Sequence, residues 1–551
     1  MLVHLLCIAS TAFASSVAAQ TTFADVTPAA NPYFTTPEDA DFWVNAVAPA
    51  DVDGDGRIDL AVLGFHVVYN ASVEDKLVIL HNDGEGADGR WNFSATEIPP
   101  GDIVAGASDL AWGDVDGDGD VDLAVASEGV TALLRNDAGS LVRVAAPLPG
   151  YFEDSSYESA YDLRSLTWVD FDNDGDQDLL IPSTYDAETF SWRTALMRND
   201  GSDGNGGRVF TDVGAAIDPT VHAQSAWSDH DGDGDLDLFL ANVDPYTETG
   251  FVRLYRNDAG AFSASDPLAI RVEHGLADAA DVDADGDQDI LVAGNIQEAD
   301  GSFTTVLRIY ANDAGAYTPE TLVQAPGSDW LDIHAATWAD YDSDGDVDVL
   351  VTGSFVGATK IEGRSEIYAN DAGTFTALGA NLPAPIGSIG RGGTFTWFDL
   401  DGDGDLDCLV AGAFFVPGGN GLVESRMHVL RNLAQAGNMP PAMPAGLLAS
   451  PAGDGVMLSW SAPADDHTPP SQLGYDLELR RDGDLVPAPT RLPQPGALNA
   501  ATHWTMTNLP PGSYSWRVRA VDTAYAGSAP AHGAFVLPFA ADPIFGDGFD
   551  A

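Results

Sequence analysis

The sequence predicts an all-β chain: a seven-bladed β-propeller carrying calcium loops, followed by a β-sandwich. Three observations predict it. One acidic loop recurs seven times, short β-rich runs punctuated by Asp, Asn and Gly surround each copy, and the pattern stops at a proline-rich stretch beyond which other strands begin.

The clearest loop is Asp229-His230-Asp231-Gly232-Asp233-Gly234-Asp235-Leu236-Asp237, followed by the apolar run Leu238-Phe239-Leu240. Carboxylates at positions 1, 3, 5 and 9, with Gly at 6 for a sharp turn, wrap oxygens around one hard cation. Position 1 is Asp51, Asp114, Asp170, Asp229, Asp281, Asp340 and Asp399 in turn, at steps of 63, 56, 59, 52, 59 and 59 residues. Position 3 is Asp53, Asp116, Asp172, Asp231, Asp283, Asp342 and Asp401, and position 5 is Asp55, Asp118, Asp174, Asp233, Asp285, Asp344 and Asp403. Position 7, expected to offer its backbone carbonyl, is Arg57, Asp120, Asp176, Asp235, Asp287, Asp346 and Asp405. Position 9 is Asp59, Asp122, Asp178, Asp237, Asp289, Asp348 and Asp407. Two such carboxylates 4 Å apart repel by about 1 kcal/mol even in a water-like dielectric, so an empty loop is costly. Calcium, which takes six to eight oxygens in flexible geometry, fits better than octahedral magnesium. An EF-hand would place Glu at position 12, where this loop has Leu240, and would continue as a helix, whereas the run from Leu238 reads as a strand. About seven calcium sites are expected.

A chain of 551 residues allows several domains, but a propeller is one large unit, so two are expected. The boundaries are a signal peptide over 1–19, a propeller over 20–434, a linker over 435–445, a sandwich over 446–537 and a tail over 538–551. The formal charge is −62, and loop aspartates, four in the first copy and five in each of the other six, supply 34 of the 85 acids. Filling all seven loops would leave about −48. Lys76 and Lys360 are the only lysines and no arginine cluster occurs, which makes nucleic acid and anionic membrane poor partners, and no nucleic acid is expected. Leu2 to Ala19 reads as a secretory signal ending in Val17-Ala18-Ala19, so the protein is expected outside the cell or on its surface, as a monomer without a transmembrane segment. Millimolar calcium there fills weak sites. Beyond Cys7 only Cys408 remains, in an apolar strand, and reads as a buried inert thiol.

Around each loop a four-strand grammar repeats. In the second unit Asp109 to Gly113 enters the loop, Val121 to Ala126 leaves it, Thr131 to Leu134 runs to the turn Asn136-Asp137-Ala138-Gly139, and Leu141 to Val144 comes next. Related turns follow Asn82, Asn199, Asn257, Asn312 and Asn370, and their Asn and Gly are read as residues that tolerate positive φ. The seventh unit lacks its fourth strand after Arg431-Asn432, whereas Thr22-Phe23-Ala24-Asp25-Val26 echoes Val209-Phe210-Thr211-Asp212-Val213. The N-terminal segment is therefore expected to pair with Met427 to Leu430 and complete that unit, leaving no bare edge.

With its D-x-D-x-D-G-x-x-D loops, the stretch 45–433 resembles the FG-GAP or VCBS repeat family, a relative of the integrin α propeller. The resemblance implies that each loop joins the first and second strands on the lower face and that partners dock on the upper face or side. No Arg-Gly-Asp and no inserted ligand-binding domain is present, so integrin function does not transfer.

Trp112, Trp168, Trp227, Trp338 and Trp397 stand two residues before a loop. They could stack on sugars, but one fixed strand position in successive units favours packing between blades. His222, His274 and His334 begin inner strands, where channel lining is favoured over a transition-metal site. The insertions Ser183 to Trp192, Asn242 to Gly250, Gly294 to Phe303 and Gly412 to Ser425 are expected on the upper face, with Tyr151, Tyr157 and Tyr161 as a weak ligand patch. Beyond the prolines, Val456 to Trp460, Tyr475 to Leu479 and Asn508 to Tyr514, with Trp516, Val518 and Ala520 alternating inward, resemble a fibronectin type III domain and its tyrosine corner.

No nucleophile elbow, His-Glu-x-x-His or phosphate loop occurs. The leading reading is a secreted calcium-binding adhesion or binding module for a glycan or extracellular protein. The alternatives are an extracellular polysaccharide-processing lyase or hydrolase, with a site assembled from several blades, and a cell-surface spacer.

Overall fold

The computed structural model describes residues 23–537 apart from 30, 32, 35–40, 68–72, 100, 102–105, 128, 151–165, 175, 187–190, 232, 234, 248, 284, 286, 299–300, 325–329, 357–360, 372, 380–381, 386–393, 416–422, 434–437, 453–454, 482–483, 487–497, 500–501, 507–508 and 525. The expected signal peptide, the tail, and Tyr151, Tyr157 and Tyr161 lie outside the described residues. All described elements are strands.

Seven four-stranded antiparallel sheets account for 23–432. Sheet 1 is Asp41–Ala50, Asp59–Val67, Val73–Glu85 and Trp91–Glu97, in chain order. Sheets 2 to 6 repeat that meander over 109–144, 167–212, 221–265, 272–324 and 330–377. Sheet 7 holds Thr394–Phe398, Asp407–Phe415 and Val423–Asn432, and its fourth strand is Phe23–Asp25 from the far end of the chain. The pairing joins Phe23 to Asn432, Ala24 to Arg431 and Asp25 to Leu430, two residues further along than Met427–Leu430. Val26 then donates to the Val429 carbonyl at 2.9 Å.

The second strand of each sheet is an apolar run because both its faces are covered; every residue of Asp122–Ser127 is buried. Ala61 and Leu77 of sheet 1 pack with Leu123 and Leu134 of sheet 2, and the same arrangement continues from sheet to sheet through sheet 7. Leu60 and Val62 of sheet 1 also share a core with Leu409 and Met427 of sheet 7. These contacts therefore run in a closed cycle. The tryptophans sit in its seams: Trp112 and Trp168 are buried and donate to the carbonyls of Ala48 and Ala111 in the preceding sheets, both at 3.1 Å.

The hairpins differ from expectation. The third strand of sheet 2 runs through Asn136 and Asp137, which pair with Leu141 and Ser140, so the turn is Ala138-Gly139 alone. Positive φ falls on Ala138, Ala259 and Ala314 and the glycine after each, not on the asparagines. Two successive positive-φ residues make the tight turn that matches strand twist, and the alanines carry the strain of a left-handed conformation.

Beyond 440, Ala445–Ala452, Gly455–Ser461 and His503–Met506 form one sheet. Gly474–Arg481, Asp484–Val486, Gly512–Val521 and Ala531–Leu537, with Leu498–Asn499 paired to the first of them, form another. Trp460 bridges the two sheets, 5.2 Å from the Tyr475 ring and 6.2 Å from Trp516. Trp516, Val518 and Ala520 are buried while Arg517 and Arg519 face out, and the Tyr514 hydroxyl donates to the Pro510 carbonyl at 2.5 Å.

Candidate metal centres

Each acidic loop joins the first and second strands of its sheet, and its backbone is folded by its own carboxylates. In the first six loops the position 1 carboxylate accepts the position 5 N–H at 3.0 to 3.2 Å. In the seventh, Asp399 accepts from Gly402 and Gly404 instead. Position 5 accepts the position 7 N–H in all seven. Positive φ occurs at position 4 as well as position 6, as at Gly54 and Gly56, and Asn173 and Ser343 adopt it at position 4 without being glycine.

Position 9 is the buried anchor. Each of its seven carboxylates accepts the position 2 N–H at 2.8 to 3.3 Å. Each also accepts the N–H of the hairpin asparagine at 2.7 to 2.8 Å. Burial outweighs these bonds and pushes the carboxyls up, to about 10 for Asp178, about 9 for Asp348, about 8 for Asp122 and Asp407, and about 7 for Asp237 and Asp289.

In four loops the position 7 side chain reaches the hairpin. Asp120, Asp235 and Asp287 accept the N–H of Ala138, Ala259 and Ala314, clasping the hairpin, and Arg57 donates to the Asn82 carbonyl at 2.6 Å. In these four loops the backbone carbonyl is what position 7 has left for an ion, whereas in the seventh one side-chain oxygen of Asp405 is buried without a hydrogen-bond partner.

Position 3 faces inward. One oxygen each of Asp116, Asp172, Asp342 and Asp401 is buried with no hydrogen-bond partner. Carboxylate oxygens of Asp114, Asp116 and Asp122 lie within 4.8 Å of one another, as do those of Asp170, Asp172 and Asp178, of Asp51, Asp53 and Asp55, and of Asp229, Asp231 and Asp233. Such groups could hold a metal ion. Buried unpartnered carboxylate oxygens are costly in a folded protein, and a hard divalent cation satisfies several at once. The donor set therefore fits calcium.

The sequence reading missed three parts of this neighbourhood. The hairpin asparagines are buried cross-links: Asn136, Asn199, Asn257, Asn370 and Asn432 donate to the position 2 carbonyl of the preceding sheet's loop, at 2.6 to 3.2 Å. Asn82 reaches the Leu400 carbonyl of sheet 7 at 3.0 Å and closes the cycle. Among the described residues Asn312 makes no such crossing; at that seam His230 stacks on Tyr317, ring centroids 5.7 Å apart. Secondly, His81 faces the first loop, its Nδ1 3.8 Å from Asp53 and 3.5 Å from Asp59. Thirdly, the linker and the C-terminal unit lie against loops five to seven. Thr523 donates to Asp340 at 2.6 Å, Gln472 to the Asp281 carbonyl at 2.6 Å and Asn438 to the Gly404 carbonyl at 3.4 Å. A Cβ on Gly345 would stand 2.1 Å from the His467 carbonyl.

The side chains of His222 and His274 lie outside what the structure describes, while His334 is buried. Cys408 is fully buried, and desolvation pushes its thiol well up, away from reactivity.

Residues 114–181, 229–292 and 281–351 match the FG-GAP-like repeat, stretches that contain loops two to six. Among solved structures, an Agrocybe aegerita lectin, studied for recognition of non-reducing terminal N-acetylglucosamine, is 17% identical. That match covers 62% of this chain and 81% of the lectin, at a TM-score of 0.36. A rhamnogalacturonan lyase is 15% identical over 80% of this chain and 73% of its own, at 0.33. The V. cholerae biofilm matrix protein Bap1 is 10% identical over 94% and 84%, at 0.21. Likenesses at these scores carry no argument about ligand or activity. No curated protein matches the chain. Among the described residues no helix is long and apolar enough to cross a membrane.

Proposed function

We propose that the chain is a secreted or cell-surface, calcium-stabilised binding module: a monomeric seven-bladed propeller over 20–434, linked by 435–445 to a fibronectin type III domain over 446–537. The four buried, unpartnered position 3 oxygens carry the calcium part of this reading, because one hard cation partners each of them together with its neighbouring carboxylates and offsets their charge. Positions 1, 3, 5 and 9 and the position 7 carbonyl would hold each ion. Calcium supplies charge neutralisation and cross-linking, not chemistry.

The ligand belongs at the other end of the sheets, where second strands connect to third. In sheet 3 the rings of Tyr185 and Trp192 meet edge to face, centroids 5.4 Å apart. The Trp192 N–H donates to the hydroxyl of Tyr246 from sheet 4 at 2.9 Å, which fixes that ring while leaving it 59% exposed. Rigid aromatic faces with polar tips suit the CH face and hydroxyls of a sugar, so a glycan is the favoured ligand. Calcium-loaded protein on a glycan array should give calcium-dependent binding that Tyr246→Ala abolishes. Binding unaffected by that substitution would move the site elsewhere, and a blank array would remove the glycan and leave an extracellular protein as ligand class.

A further inference from the structure

The seven loops do not have the same donors. The residue before the hairpin asparagine overlooks its own sheet's loop: in sheet 4 this is Arg256, whose guanidinium lies 2.6 Å from Asp231 and 3.6 Å from Asp233. The equivalent residues elsewhere are Arg135, Arg198, Ala311, Ala369 and Arg431, and in sheet 1 the residue is His81. Its Nδ1 is buried without a hydrogen-bond partner, 3.5 Å from an oxygen of the buried Asp59 and 3.8 Å from one of Asp53. On the far side of the ring, Nε2 lies 3.3 Å from the Thr96 hydroxyl on the neighbouring strand. That contact holds the imidazole in place and, with the proton on Nε2, leaves the Nδ1 lone pair facing the carboxylates.

The spacing suits shared coordination. Two ligands on a tetrahedral ion, each about 2.1 Å from it, stand roughly 3.4 Å apart. The first loop is also the one with a cation at position 7, and Arg57 pairs with Asp55, so part of that carboxylate's charge is already compensated by the chain itself. The group that includes nitrogen is the His81 imidazole with the oxygens of Asp53 and Asp59, and Asp53 also belongs to the all-oxygen group it forms with Asp51 and Asp55. Calcium prefers an all-oxygen shell, whereas nitrogen with few carboxylates is the donor set of zinc and its neighbours.

We propose that the first loop is a mixed nitrogen–oxygen site for a divalent transition ion of the zinc class, with His81 Nδ1, Asp53 and Asp59 as ligands. This rests on the reading of the other loops as calcium sites only in that it sets the first apart from them. The test uses the full, untagged chain, stripped with chelator, refilled with millimolar calcium and titrated with Co²⁺ as a spectroscopic stand-in. One equivalent should bind with a visible d–d band that Zn²⁺ abolishes and calcium does not. His81→Ala should weaken it at least tenfold, and His81→Arg, which installs the residue found in four other sheets, should do the same if the alanine variant folds poorly. A wild-type chain with no band, a band kept by both variants, or a band removed by calcium each overturns the assignment. Calcium stoichiometry measured in parallel separates the two readings: a chain that binds cobalt through His81 but takes up no calcium would uphold this site and sink the calcium proposal.

Discussion

Replacing Asn257 by Ala tests whether the hairpin asparagines hold neighbouring sheets together. Asn257 is fully buried and its side chain makes three bonds, all to backbone: Nδ2 donates to Phe171 O at 2.7 Å and Leu236 O at 3.1 Å, and Oδ1 accepts the Gly260 N–H at 2.8 Å. Deleting it strands two carbonyls and one N–H in a dry seam. At about 1 to 3 kcal/mol for each stranded group, and with the carbonyls at the low end because each has a second lone pair, the cost is about 3 to 6 kcal/mol. Asn312→Ala is the internal control. It occupies the same position in sheet 5 but bonds only Gln288 O and Gly315 N, so it should cost about 1 to 2 kcal/mol less. Denaturant midpoints in saturating calcium, at unchanged slope, read the difference, and hydrogen exchange at Gly260 reports the local loss. Equal midpoints for the two variants, or a loss under about 1 kcal/mol for Asn257→Ala, would refute the cross-link argument.

Two further predictions concern the loops and the ring. In metal-free protein six position 9 carboxyls, all but Asp59, are raised to between about 7 and about 10, above their unfolded value near 4, so the folded state holds extra protons across that window and the melting temperature should fall as pH rises from 5 to 8.5. With calcium bound, deprotonation is required for binding and the slope should reverse; a metal-free melting temperature that climbs with pH contradicts the assignment. Removing residues 1–26 takes away Phe23–Asp25 and bares the Val423–Asn432 edge, so the truncated chain should melt lower and aggregate in light scattering, and an unchanged melt would mean that this strand contributes little.

How much of this the sequence displays depends on whether the partner is local. The loops are legible because ligand spacing and turn glycines lie within nine residues, and the seventh sheet's borrowed strand is legible because Phe23 echoes Phe210. The asparagine cross-links are not, since each acceptor lies 84 to 91 residues back in the chain, or 318 ahead for Asn82. A signal was nevertheless present. Asn432 stands at the repeat position although no Asp-Gly turn comes after it, and a residue kept for turning would have no reason to be there. His81 gave less notice: only alignment of the seven units on their asparagines shows that imidazole replaces guanidinium over the first loop. The docking of Thr523 on Asp340 had no local signal, because a threonine on a sandwich loop looks like any surface residue until the other surface is beside it.

The position 9 aspartate joins these features into one mechanical argument. Asp237 accepts from His230 within its own loop at 3.1 Å and from Asn257 at 2.7 Å, so one buried carboxylate ties the candidate ion site to the residue that reaches the previous sheet. An ion drawn toward Asp229, Asp231 and Asp237 therefore also fixes the hairpin, and through it the seam to Phe171. Repeated at six of the seven seams, this would make the loop end the stiff end of the sheets once ions are bound, with the linker and the C-terminal unit resting on three of its loops. Rigidity concentrated there leaves the opposite connections free to differ in length and composition without endangering the core. Tyr246 can be an exposed ring on one of those connections because its hydroxyl bonds the Trp192 N–H of the neighbouring connection and takes no part in the loop-end hydrogen bonding.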